Sequence, residues 1–104
     1  MSAPFSFTTK AVIKAPLTPG MTRDNRAVLR LVILIDGTEY TLNVVGKPGM
    51  GIEQLAEYLT KNGIVKLENG KWVIEIPTWT ITKAKNGMVW THIEDLEKLK
   101  GTTT

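Results

Sequence analysis

The chain has 104 residues, 42% of them hydrophobic, a formal charge of +3 and no cysteine. That is the length of one domain with a modest core, and it leaves no room for a disulfide framework or a cysteine-based metal site. The longest apolar run, Leu31–Ile35, is strand-sized and far short of a membrane span.

The N-terminus, MSAPFSFTTK, lacks the charged-then-apolar order of a signal peptide, so an intracellular, cytoplasmic protein is expected. The pI near 9.3 permits a polyanionic partner without demanding one. The charge is unevenly spread. Lys10, Lys14, Arg23, Arg26 and Arg30 are opposed in their third of the chain only by Asp24, and Lys83 and Lys85 bracket an unopposed later loop.

Residues 5–15, FSFTTKAVIKA, are rich in β-branched and aromatic types and read as a strand. Phe5, Phe7, Ala11 and Ile13 share one parity; Thr8, Lys10, Val12 and Lys14 form a wetter, cationic one. Residues 16–25, PLTPGMTRDN, form a long loop broken by Pro16, Pro19 and Gly20. Arg26–Ile35 and Thr38–Val45 then make a hairpin about Asp36-Gly37. Ala27, Leu29, Leu31, Ile33 and Ile35 face the core, and Arg26 and Arg30 lie on the other face.

The stretch GKPGMG ends this sheet segment, and Ile52–Asn62 reads as a helix. Ile52, Leu55, Ala56 and Leu59 make its apolar stripe, and Gly63 stands where a left-handed C-terminal cap belongs. Two further hairpins are expected. Asn69-Gly70 links Ile64–Glu68 to Lys71–Ile76, and Asn86-Gly87 links Trp79–Lys83 to Met88–Ile93. Pro77 marks a bend or edge between them. The tail EDLEKLKGTTT continues the last strand or adds a helical turn. Residues 1–100 are read as one domain, and 101–104 as a disordered end.

The order is β–loop–β–turn–β–helix–β–β. This is the order of the OB-fold, an all-β five-stranded Greek-key barrel with a single helix, here between strands three and four. Its usual oligonucleotide surface is the face of strands two and three with two flanking loops. Those loops fall at residues 16–25 and 82–88, both basic.

The residues Thr38-Glu39-Tyr40, Val44-Val45 and Gly46-Lys47 resemble the third strand of the bacterial and phage single-stranded DNA-binding protein (SSB) family. Leu55–Gly63, LAEYLTKNG, is similar to the helix that follows there, and Ile93–Leu99 to the family's ending. The likeness spans roughly residues 38–99, and the first two strands agree in pattern only. It implies a non-enzymatic binder of single-stranded DNA, or of RNA, acting in replication, recombination or repair at the nucleoid. It also implies a homodimer or higher oligomer, for which Phe5–Ala15 is a candidate edge. The family's acidic tail has no counterpart in Gly101–Thr104, and Glu68–Lys71 inserts an extra turn. Those departures suggest a reduced, phage- or plasmid-encoded version, or one like the primosomal protein PriB.

Single-strand binding needs cations along a backbone track and flat side chains on which bases stack. Arg30 is the telling cation, because it interrupts a very apolar strand on the face that also carries Arg26. Lys10, Lys14, Arg23, Lys47, Lys83 and Lys85 are placed to join the track. The resemblance implies a stacking role for Tyr40 and matches Trp79 to a family tryptophan. Tyr40's parity with Leu42 and Val44 points instead to the core. Trp79 reads equally as core or platform, Trp90 as half-exposed, and Trp72, in phase with Ile74 and Ile76, as core.

Enzymatic and cofactor-dependent functions find little support. His92 is the only histidine, a nucleophilic triad would need Ser2 or Ser6 near the terminus, and GKPGMG lacks the order of a phosphate loop. No metal and no cofactor is expected. The alternative to an SSB-like barrel is a winged-helix-like domain built on residues 52–76 that binds duplex DNA or protein. It needs about three helices, and residues 5–45 promise none.

Overall fold

The Asp36-Gly37 turn sets the centre of the fold. Both residues hold positive φ, 51° and 81°, the type I′ geometry whose twist suits a two-residue hairpin. It joins β3 (Ala27–Ile35) to β4 (Thr38–Val45), with Ile35 opposite Thr38 and, counting outwards, Arg30 opposite Asn43. In the computed structural model, which describes residues 8–101 (the side chains of 99–101 excepted), this pair lies inside a single sheet. Phe5, Phe7, Ser2 and Ser6, and the tail from 102 onwards, lie outside the described residues.

Before the hairpin come β1 (Thr8–Pro16) and the short β2 (Gly20–Met21). After it come α1 (Ile52–Lys61), β5 (Val65–Glu68), β6 (Lys71–Pro77), α2 (Thr78–Thr82), β7 (Met88–His92) and α3 (Ile93–Gly101). The seven strands form one sheet in the order β5-β6-β1-β3-β4-β7, with β2 pairing β3 beside the main path. Strands β1, β3 and β4 run antiparallel in succession, and β6 returns beside β1. That is a Greek-key order. β7 then joins β4 in parallel.

The described part of the candidate edge Phe5–Ala15 lies inside the sheet, with Thr8–Val12 paired to β6 and Val12–Pro16 to β3; two other expectations are corrected. Trp79–Lys83 is not a strand. Extended Pro77 (φ −62°, ψ 131°) opens α2 instead, and the hydroxyls of Thr80 and Thr82 donate to the carbonyls of Pro77 and Trp79 at 2.6 and 2.8 Å. The Asn86-Gly87 turn is present, but on its near side only Lys85 bridges to Met88. The tail takes the helical alternative, with Ile93 and Leu96 buried and Glu94 and Asp95 in the favourable first turn of α3. The sheet does not close into a barrel. No pairing joins β6 to β7 among the described residues, and α2 and α3 each contact both strands across that gap.

The inner face of the sheet carries the core. Ala11, Ile33, Leu42, Val44, Ile74, Ile76 and Val89 are fully buried. They meet Leu55 and Leu59 of α1 and Ile93 and Leu96 of α3 in one cluster. α1 stops as its sequence requires. Gly63 takes φ 70°, its N–H bonds Thr60 O at 3.1 Å, and the Ile64 N–H reaches back to Leu59 O at 2.9 Å. This is the Schellman pattern, for which glycine carries no side-chain penalty. At the other end the Gly51 N–H donates to Gln54 Oε1 at 2.9 Å. No helix among the described residues is long and apolar enough to cross a membrane.

Candidate nucleic-acid interface

A strand with one face in the core must present its alternate residues outward. For β3 these are Val28, Arg30, Val32 and Leu34; for β4 they are Glu39, Thr41, Asn43 and Val45; for β7 they are Met88, Trp90 and His92. Register aligns Arg30, Asn43 and Trp90 in one row across the three strands. The Cα atoms of Arg30 and Trp90 therefore flank β4 about 10 Å apart, two strand spacings.

Asn43 is fully buried although it stands on the outward row. Its amide donates to Val89 O at 3.1 Å, across the parallel β4–β7 pair, and its Oδ1 accepts from Arg30 Nε at 3.1 Å. The arginine is thus held by a neutral partner. It forms no ion pair among the described residues, and Asn43 engages it through Nε alone. Val32, Thr41 and Met88 occupy the next row, so the cation is set in a largely apolar sheet surface. Trp90 is 51% exposed, an uncommon state for the largest apolar side chain unless something packs on it.

The other predicted residues separate into groups. Lys83, on the turn after α2, holds its ammonium 5.2 Å from the centroid of the exposed Trp79 ring, a cation–π distance. Lys85 lies in the turn that enters β7, where the Thr41 N–H donates to Gly87 O at 2.7 Å. Lys85 thus sits at the Asp36-Gly37 end of the outward row, while Trp79 and Lys83 belong to α2 and the turn after it, beside the β6–β7 gap. Arg23 is in an exposed turn at the opposite end. The loop that carries it is pinned along β3 by Leu17 N–H to Arg30 O and Thr22 N–H to Arg26 O, both 2.9 Å.

Four predicted cations are already neutralised. Lys10 pairs with Glu68 at 2.8 Å, and Lys14, the extra residue of a bulge in β1, pairs with Glu39 at 2.5 Å. Arg26 is only 19% exposed and reaches Glu94 at 3.3 Å. Lys47 lies 2.8 Å from Glu97, on the side of α1 and α3. Tyr40 is also displaced from the expected track. It sits opposite buried Ile33 and packs against the core, as its parity indicated. Trp72 departs in the other direction. It is in phase with the core but 48% exposed, at the rim of an open apolar pocket that Leu31, Leu59 and Val65 also line.

Two contributors escaped the sequence reading, Asn43 as the arginine's support and Met88 as part of the apolar surface. Both are fixed by register, Asn43 by the hairpin and Met88 by the parallel pairing.

Lys47, Tyr58 and Glu97 form a separate staple. The Tyr58 hydroxyl donates to Glu97, and the Lys47 ammonium stands 5.1 Å over the Tyr58 ring. The Lys47 hydrogen bond, then that of Tyr58, holds the Glu97 carboxyl below its usual range. The same hydrogen bonds raise Tyr58 and Lys47 above theirs. A depressed carboxylate stabilises the fold above its unfolded pKa and loses that contribution as pH falls through the folded one. The raised groups lose theirs as pH climbs through their folded values. The melting temperature should therefore fall as pH drops below about 4, the unperturbed glutamate range, and again in the alkaline range. Glu97→Gln should flatten both limbs in a melting series from pH 3 to 11. Limbs as steep as wild type would show that the staple contributes nothing.

No group of three histidine, aspartate or glutamate side chains stands together among the described residues. Neither a protein-family model, nor a curated protein, nor a solved structure matches the chain.

Proposed function

We propose that this protein binds single-stranded DNA non-enzymatically and with little sequence preference, through the outward face of β3, β4 and β7. One observation carries the reading. An arginine that forms no ion pair among the described residues, oriented by buried Asn43, shares a row with a half-exposed tryptophan, next to a row of Val32, Thr41 and Met88. Phosphate satisfies the guanidinium, and a base stacks on the indole without regard to identity, since every base has a π-face. Arg23 at one end and Lys85 at the other extend the track, with Lys83 on the turn after α2. Trp79 under Lys83 is a second platform.

The Greek-key order, the helix after the third long strand and the parallel final strand favour an OB-like arrangement that is open between β6 and β7. In it the β5–β6 hairpin takes the place of strand four. Such a module belongs in replication, recombination or repair in the cytoplasm, at the nucleoid. A winged-helix arrangement fits poorly, because residues 8–45 hold no helix.

The test is a tryptophan-fluorescence titration with oligo-dT, the matching RNA and duplex DNA at 50 and 200 mM salt. Single strands should quench the emission, and affinity should fall steeply with salt as counterions are released. With about four available cations along the track, the log–log slope should be about −3. Preference for duplex, or emission unmoved by any oligonucleotide, would sink the proposal.

A further inference from the structure

Among the described residues nothing pairs with the outer edge of β5. In the hairpin about Asn69-Gly70, Glu68 faces Lys71, Leu67 faces Trp72 and Lys66 faces Val73. The pair flanking a two-residue turn is hydrogen-bonded, and pairs alternate along an antiparallel ladder. Glu68 and Lys66 therefore direct their backbone groups towards β6. Val65 and Leu67 direct theirs to the free edge, where β5 ends the sheet order. The side chains at this edge are not the usual guards. Leu67 is 57% exposed and Trp72, its cross-strand neighbour, 48%, so an unpaired edge carries an adjacent apolar pair.

From this we infer that β5 pairs antiparallel with β5 of a second copy about a two-fold axis, with Leu67 opposite Leu67 of the second copy. Hydrogen-bond phase and charge select that register together. Only residues with outward backbone groups can be bonded partners, so the axes that overlap more than one residue of β5 place Val65 opposite Leu67, Leu67 opposite Leu67, or Leu67 opposite Asn69; Val65 opposite Val65 would pair that one strand residue alone. The first sets Lys66 against Lys66 and the third sets Glu68 against Glu68, and like charges directly opposite are destabilising. The middle register sets each Lys66 against the other copy's Glu68. It also lines up Trp72, Leu67, Leu67 and Trp72 in one apolar row on the opposite face. Such a contact is isologous and closes at two copies. A four-residue strand makes a small interface, at the low end for specific complexes, so the dimer should be concentration-dependent. The inference stands apart from nucleic-acid binding.

Sedimentation equilibrium without nucleic acid tests it. The apparent mass should rise with concentration from 11.5 kDa towards twice that value. Lys66→Glu and Glu68→Lys should each lose the association, because each sets like charges opposite one another. Mixing those two variants should restore it, since each then supplies the other's missing sign. Circular dichroism of each variant checks that it is folded. If Lys66→Glu does not fold, Leu67→Lys should abolish association in its place. A protein that stays at 11.5 kDa at every concentration would overturn the proposal. So would a dimer indifferent to Lys66→Glu or Leu67→Lys, or variants that fail to associate when mixed.

Discussion

Trp90→Ala is expected to weaken single-stranded DNA binding by roughly 5- to 140-fold, the equivalent of the ~1–3 kcal/mol that one base–aromatic stack contributes. The fold should hardly notice, because the indole is 51% exposed on the outward face and belongs to no part of the core. Arg30→Ala should weaken binding too, and should also make the salt dependence shallower by about one ion. Asn43 offers a sharper check. It is fully buried and touches the guanidinium through one hydrogen bond. Asn43→Ala should therefore reduce affinity in the wild-type background and have no further effect once Arg30 is alanine. Independent effects in that double-mutant cycle would mean that Asn43 does not act by orienting Arg30. An unchanged affinity for Trp90→Ala would remove the indole from the interface.

The Arg30–Asn43 part of the row that carries these predictions could have been found by counting. A two-residue turn at Asp36-Gly37 forces Ile35 opposite Thr38, and seven more paired positions follow without slippage, ending with Val28 opposite Val45. The same count from Asn69-Gly70 sets Leu67 against Trp72. Local turn chemistry thus determined two hairpins, and the side-chain period of two determined which face met the core. Tyr40 shows the strength of that rule, since its parity located it better than its family likeness did.

What resisted reading was non-local or marginal. Nothing near Met88–His92 announces a parallel partner more than forty residues earlier in the chain. Thr78–Thr82 has the composition of a strand. It turns helical because extended Pro77 starts it and because Thr80 and Ile81 fill the space beside the open β6–β7 gap. Ion pairing was also hidden. Lys10 and Glu68 are 58 residues apart, and only the β1–β6 and β5–β6 pairings bring them together.

Leu42→Ala should lower the free energy of unfolding by about 2–5 kcal/mol, the range for deleting a large buried aliphatic side chain. In a domain of this size that corresponds to a fall in melting temperature of roughly 10–30 °C. The reason is position. Leu42 has no exposed surface and lies in the inner row between Leu31 on β3 and Val89 on β7, both buried. It is thus enclosed by neighbours on both strands, with little freedom to collapse into the space left behind. Met21→Ala provides the contrast. That side chain is 67% exposed on a two-residue strand, and its loss should change stability by less than about 0.5 kcal/mol. Urea denaturation of the two variants, compared at equal m-value, separates the cases. Any Leu42→Ala protein that remains folded should bind DNA like wild type, because Leu42 and Asn43 are adjacent on one strand and face opposite sides of the sheet. A cost below about 1 kcal/mol for Leu42→Ala would contradict the assignment of faces itself, and with it the location of the binding row.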